Sequence, residues 1–247
     1  MNKINAAMIM GAGLGSRMRP LTDDRPKPLV TVGGKTLIDR CLDRLVEAGV
    51  RLAVVNVHYK AEMLRAHLAG RDDIRIVFSD ETEKLLDTGG GVVKALPYLR
   101  NAPFFVLNSD SMWTESIGAA LSSMLRQWDD SRMDGLLLLA DLGTALGYEG
   151  VGDFALKPDG QLVRAKDRAP AEPVYAYPGV QIAHPRLFDH APSGAFSTNL
   201  MWDRAIAGNR LFGTPLDGVW IHVGTPQARE EAEAYLAVQT PASRAPA

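Results

Sequence analysis

One cysteine, Cys41, is all that the 247 residues contain, so no disulfide within the chain staples the fold. No run approaches the ~20 consecutive apolar residues that cross a bilayer. The opening MNKINAAMIMGAGLG has no long apolar region and no small-residue cleavage pattern of a secretory leader. Neither sign of charge dominates: 27 Lys and Arg stand against 29 Asp and Glu, for a formal net charge of −2. A global basic field for nucleic acid is therefore missing, and with it any basic stripe carrying stacking aromatics. These absences lead us to expect a cytoplasmic chain that engages neither membrane nor nucleic acid, as monomer or homodimer. Any anion site has to be built locally.

What is present is ordinary globular material, 46% hydrophobic and 23% charged, long enough for one large α/β domain or two small ones. Ala6 to Met10 is a short apolar run stopped by glycine and reads as a buried strand. Thr36 can cap a helix through Ala48, with Leu37, Ile38, Cys41, Leu42, Leu45 and Val46 on one face and Gly49 ending it. Leu52 to Val57 and Ile74 to Phe78 read as strands, with a helix from Ala61 to Ala69 between them. A Gly89-Gly90-Gly91 turn leads into a helix around Val92 to Leu96. Strands follow at Phe104 to Leu107 and Leu136 to Ala140. The alternation implies parallel strands joined by crossover helices. After Gly150 it loosens into short runs parted by Pro158-Asp159-Gly160 and Pro178-Gly179, which we read as mixed strands forming a wall or lid over the sheet. A helix from Pro226 to Leu236 follows, and the Ala/Pro-rich 241–247 is expected to be a flexible tail.

In an open parallel sheet, ligands sit beyond the carboxyl ends of the strands. The loop from Gly11, the Gly89 turn and Asn108-Ser109-Asp110 all map there. The first of these reads GAGLGSRMRPLTDDRPKP, Gly11 to Pro28. Gly11, Gly13 and Gly15 let backbone N–H groups approach an anion, and Arg17, Arg19, Arg25 and Lys27 outnumber Asp23 and Asp24. A polyphosphate wants this mixture of amides and fixed cations. Other glycine-rich sites do not fit. Ser16 occupies the third glycine position of a dinucleotide fingerprint, and Leu29 stands where a P-loop would need its first glycine.

Gly13-x-Gly15-x-Arg17-x-x-Pro20-Leu21-Thr22 followed by Pro26-Lys27-Pro28-Leu29 resembles the signature of the sugar-phosphate nucleotidyltransferases. Leu86-Asp87-Thr88-Gly89-Gly90-Gly91, Asn108-x-Asp110 with Trp113-Thr114, and Trp220-x-x-Val223-Gly224-Thr225-Pro226 make the chain most similar to the N-acetylmuramate 1-phosphate uridylyltransferases of peptidoglycan recycling. The resemblance covers roughly residues 5 to 236. It implies a Rossmann-like three-layer α/β/α fold with a mostly parallel central sheet and a mixed-strand sugar-binding portion. One domain would span 1–240, with a nucleotide-binding half at 1–140 and a sugar-binding half at 141–240.

The same resemblance implies roles. Arg17, Lys27 and Asp110 are the candidate catalytic residues. Gly11, Ala12, Gly13, Gly15, Ser16, Arg17, Lys27, Asp87, Thr88, Gly89 and Gly90 would bind a nucleoside triphosphate. Asn108, Gly152, Asp153 and Gly179 would bind the sugar 1-phosphate. Asp110 would hold Mg²⁺, a cation that takes few carboxylates, several waters and phosphate oxygens. Where the family places a second metal aspartate, this chain has His222. Imidazole suits Mn²⁺ or Zn²⁺ better than Mg²⁺. Three roles for His222 are open: metal ligand, holder of a metal-bound water, or a phosphate contact when protonated. The same chemistry on mannose 1-phosphate with GTP, or on glucose 1-phosphate with UTP or dTTP, is the first rival. A non-catalytic sugar-nucleotide sensor is the second.

Overall fold

Along the strand Ala6–Met10 (β1), Ala7 and Ile9 enter one apolar cluster while Ala6 and Met8 enter another. A strand buried on both faces is what the unbroken run AAMIM demands. The structure, a computed structural model, describes residues 4–115 and 119–239, so the expected tail at 241–247 lies outside the described residues.

Two short strands, Thr31–Val32 (β2) and Lys35–Thr36 (β3), precede helix Leu37–Glu47 (α1). Then come Leu52–Val57 (β4), Ala61–Leu68 (α2), Arg75–Asp80 (β5), Asp87–Ala95 (α3), Phe104–Asn108 (β6), Ser111–Glu115 (β7) and Ala120–Gln127 (α4). The second half holds Gly135–Asp141 (β8), Phe154–Leu156 (β9), Leu162–Arg164 (β10), Val174–Ala176 (β11) and Val180–Ala183 (β12). It continues with Asn199–Ala207 (α5), Leu211–Pro215 (β13), Gly218–His222 (β14) and Pro226–Gln239 (α6). No helix among the described residues is long and apolar enough to cross a membrane.

The main sheet runs β10-β9-β11-β8-β12-β6-β1-β4-β5, with β13 also paired to β8. β6, β1, β4 and β5 are mutually parallel. The chain moves outward from β1 through β4 to β5, then returns to place β6 on β1's other side. That reversal opens a crevice at the carboxyl ends of β1 and β6. α1, α2 and α4 pack on the face that receives Ile9, and α3 and α5 on the face that receives Met8. The result is three layers.

Thr36 caps α1 as expected, accepting the Asp39 N–H at 3.2 Å. Two expectations change. Strands β9 to β13, after Gly150, extend the sheet instead of lying over it: β12 pairs antiparallel with both β6 and β8, and its Ile182 and Ala183 are buried in opposite apolar clusters. Backbone pairing on both sides satisfies groups that a lid would leave to water. The three glycines are not a turn ahead of a helix but the first turns of α3 itself. Glycine disfavours a helix interior by about 1 kcal/mol. Here tertiary packing overrides it. A Cβ would come 2.3 Å from the Phe196 ring at Gly89, 2.2 Å from the Gly194 carbonyl at Gly90 and 2.9 Å from Glu81 Oε1 at Gly91.

The ribbon of β7 and β14 stands apart from the main sheet and pairs His222 with Ser111. Met112 and Ile221 of this ribbon join Met18, Val30, Leu37 and Ala232 in a third apolar cluster. The glycine-rich loop is thereby clamped between the ribbon and α6. The sequence pattern did not separate this ribbon, α4 or α5 from loop.

Candidate active site

Residues at the ends of β1 and β6 converge on a crevice of about 380 Å³. Gly11, Ala12, Gly13, Gly15, Ser16, Arg17 and Lys27 line one side, Asn108 and Asp110 another, and Asp87 and Thr88 a third. Three segments separated along the chain thus meet where the sheet's topology reverses.

The loop's shape follows from its glycines and Thr22. Gly15 has φ +64° and precedes a short 3-10 turn, Ser16–Met18. Buried Thr22 donates its hydroxyl to the Gly15 carbonyl at 2.8 Å. A side chain at Gly15 would meet Lys27 Cβ at 3.1 Å, so the turn and Lys27 are in close register. Lys27 itself opens a second short turn, Lys27–Leu29. Its Nζ donates to Asp110 Oδ2 at 2.5 Å. Arg17 has no ion pair or side-chain hydrogen bond among the described residues, leaving a bare cation on the crevice wall. Arg19 and Arg25 pair instead with Asp23 and Asp24 on the surface.

Two backbone amides of the loop turn away from the crevice. The Gly11 N–H donates to Asn56 Oδ1 at 2.7 Å and the Ala12 N–H to the same atom at 3.3 Å. Asn56 donates in turn to Glu81 Oε1 at 2.7 Å, and Glu81 Oε2 accepts the Leu86 N–H at 3.0 Å. Asn56 and Glu81 are buried, and the sequence reading passed over both. Their signal was a polar residue inside an apolar strand run, Asn56 in LAVVNV. A buried polar group needs a partner. Here the partners are the phosphate loop and the start of α3.

Gly89 and Gly90 do not line the crevice. Their bare faces meet Phe196 and Gly194, and the Phe196 carbonyl accepts the Gly89 N–H at 2.8 Å. Asp87 and Thr88 present this corner to the crevice. Thr88 Oγ1 accepts the Thr198 N–H at 2.9 Å.

A second cavity of about 280 Å³ adjoins the first, sharing Met10, Asp87, Thr88 and Asn108 with it. Asp153 lines it and accepts the Tyr177 N–H at 2.8 Å. Gly152 and Gly179 sit behind this wall with φ of +90° and +82°. A Cβ at Gly179 would come 2.5 Å from Asn108 Nδ2, so Gly179 shapes the pocket by permitting close packing on Asn108.

Electrostatics are uneven. Burial pushes the Asp110 carboxyl up, but the charge and hydrogen bond of Lys27, with His222 beyond, bring it below the ordinary carboxylate value. Burial holds the His222 imidazole below its usual value. Asp110 opposes that shift, while Lys27 and Arg17 add to it. His222 therefore lies within electrostatic range of all three, packed edge-on to Tyr148 and against Gly224 at the crevice rim. Cys41 lies beneath Asn108, Ser109 and Ser111, its thiol pushed up by burial, and is no nucleophile.

The residues suit a divalent cation. No group of three or more His, Cys, Asp or Glu among the described residues gathers into a closed metal cage. Two carboxylates, Asp110 and Asp87, line separate walls of a crevice wide enough for phosphate and water, and Asp110 is the one paired with Lys27. That donor set is too sparse for structural zinc and matches a cation that keeps its waters and takes phosphate oxygens.

Fold and site together define an α/β protein with a crevice lined by glycine amides and cations at the switch point of its sheet. The chain belongs to the nucleotidyl transferase family, whose model matches residues 6–147. It is 49% identical over 235 residues to the N-acetylmuramate alpha-1-phosphate uridylyltransferase of Caulobacter vibrioides, covering 94% of this chain and 96% of that one. Identity to the protein of the same name from Neisseria meningitidis serogroup B is 33%, over 92% of this chain and 96% of that one. Among solved structures, the inositol-1-phosphate CTP transferase from T. maritima superimposes with a TM-score of 0.76, covering 98% of this chain and 99% of that one at 15% identity. That likeness shows the shared fold.

Proposed function

We propose that this chain transfers the uridylyl group of UTP to N-acetylmuramic acid 1-phosphate, releasing pyrophosphate, as a step of cytoplasmic peptidoglycan recycling. The hydrogen bond of 2.5 Å between Lys27 and Asp110, inside a crevice walled by the glycine loop, carries the reading. The substrate pair rests on the two relatives that share the name N-acetylmuramate alpha-1-phosphate uridylyltransferase.

The sugar 1-phosphate is ionised at neutral pH and needs no general base. One of its oxygens forms a bond to the α-phosphorus. The bond from that phosphorus to the bridging β-phosphate oxygen breaks, and pyrophosphate leaves with the electron pair. Catalysis is then positioning and charge neutralisation. Arg17 and the free amides around Gly13 and Ser16 hold the departing β- and γ-phosphates. Lys27 stands between the α-phosphate and the sugar phosphate and offsets the repulsion of two anions. Asn108, on the wall shared by both cavities, orients the sugar end, and Asp87 and Thr88 flank the base. A bound divalent cation, held by Asp110 with His222 beside it, would neutralise phosphate charge at the reacting end.

A panel of four nucleoside triphosphates against several sugar 1-phosphates, read by pyrophosphate release, tests this directly. UTP with N-acetylmuramic acid 1-phosphate should give the highest kcat/KM. Preferential turnover of another pair would replace the substrate assignment. Tight sugar-nucleotide binding with no turnover under Mg²⁺ or Mn²⁺ would make the chain a sensor.

A further inference from the structure

We infer that Arg164 is the specificity-determining residue of the second cavity and selects a sugar that carries a carboxylate, such as the lactyl ether of a muramic acid. The inference rests on the function proposed above and goes beyond it by naming how the acidic sugar is told from a neutral one.

Among the described residues lining this cavity, Arg164 is the one cation. Two carboxylates, Asp87 and Asp153, share the wall with it. They suit sugar hydroxyls and repel an anion, so an acidic substituent has to be drawn to Arg164. The guanidinium is fixed for this purpose. Its Cζ lies over the Phe154 ring, 4.7 Å from the ring centre, and over the Trp202 ring, 5.9 Å from its centre. Nε donates to Asp203 at 2.7 Å and Nη2 to the Asn199 carbonyl at 3.1 Å. Nη1 makes no hydrogen bond among the described residues. The side chain is 18% exposed. A largely desolvated arginine, held through Nε and Nη2 and lying over two rings, keeps Nη1 open for an anion. Asn108 lines both cavities, so a sugar whose 1-phosphate reaches Lys27 in the first would seat its body in the second.

The test compares Arg164→Met and Arg164→Lys with the native enzyme on three sugar 1-phosphates. These are N-acetylmuramic acid 1-phosphate, its analogue with the lactyl carboxylate converted to the carboxamide, and N-acetylglucosamine 1-phosphate. For Arg164→Met, kcat/KM on the acid should fall about 10- to 100-fold, as for loss of a charge-assisted hydrogen bond. On the two neutral sugars it should change less than about three-fold. Arg164→Lys should recover part of the preference for the acid. Equal losses on all three sugars, or an undiminished preference for acid over amide, would overturn the assignment while leaving the proposed function intact. A native enzyme that ignores the acid but turns over another sugar phosphate would remove that function, and this inference with it.

Discussion

Lys27 and Asp110 lie 83 positions apart in the chain and share a hydrogen bond of 2.5 Å. Neither is a nucleophile in the reaction proposed here. Both act by charge, and charge placed in a half-buried crevice acts more strongly than in water. Lys27→Ala should lower the rate of pyrophosphate release by about 10² to 10³, as removal of one oxyanion-type donor does, with a single cooperative melting transition retained. Turnover near native would remove Lys27 from the reacting phosphate. By the resemblance drawn from its sequence, His222 would stand where a second metal carboxylate is expected. His222→Asp should raise Mg²⁺-supported activity relative to Mn²⁺, because a carboxylate is the harder ligand. An unchanged ratio of the two metals' activities in both the Asp and the Ala variant would take His222 out of the metal site.

At the scale of elements, the connection between Asn56 on β4 and Glu81 after β5 ties two loops to one buried pair. Asn56 fixes the amides of Gly11 and Ala12 while Glu81 fixes the Leu86 amide ahead of α3. Breaking this link leaves buried donors and acceptors unpaired, at about 1–3 kcal/mol each. Asn56→Leu should therefore both lower Tm and raise KM for the nucleotide, since the loop and the Asp87-Thr88 corner lose their shared anchor. A variant that melts earlier but binds nucleotide as before would limit Asn56 to stability. Gly90→Ala is a sharper test of packing. Its added methyl would fall 2.2 Å from the Gly194 carbonyl, a backbone atom with no rotamer to change. α3 should separate from the 194–196 segment, seen as faster amide exchange of the Gly89 N–H that now bonds to Phe196.

For the whole molecule, pH offers a readout. His184 accepts the Arg186 N–H through Nδ1 at 3.1 Å, which requires a neutral nitrogen. Burial first, then Arg186, hold its imidazole below the ordinary 6.5, against Asp130, Asp134 and Asp189. The unfolded chain therefore binds the proton more readily than the folded one. This contribution is complete above about pH 6.5 and is lost as pH falls from there through the lower folded value. Thermal melts between pH 7.5 and 5 should show Tm falling with pH, and His184→Gln should flatten that slope. A slope unaltered by the substitution would assign the acid sensitivity to other groups.

The parallel strands, the cap at Thr36 and the cationic glycine loop were legible from local sequence. Each depends on neighbours within a few positions: apolar period, a side chain reaching its own backbone, a backbone free of Cβ. Tertiary structure alone decided which loop groups face the crevice. The Gly11 and Ala12 amides turn to Asn56, and Gly89 and Gly90 turn to Phe196 and Gly194, because those partners arrive from strands and loops far along the chain. It also decided that β12 would join the sheet beside β6, and that Arg164 would sit over Phe154 and Trp202. Long-range pairing and packing leave no local pattern to read, since the free energy that selects them comes from contacts formed only once the chain has folded.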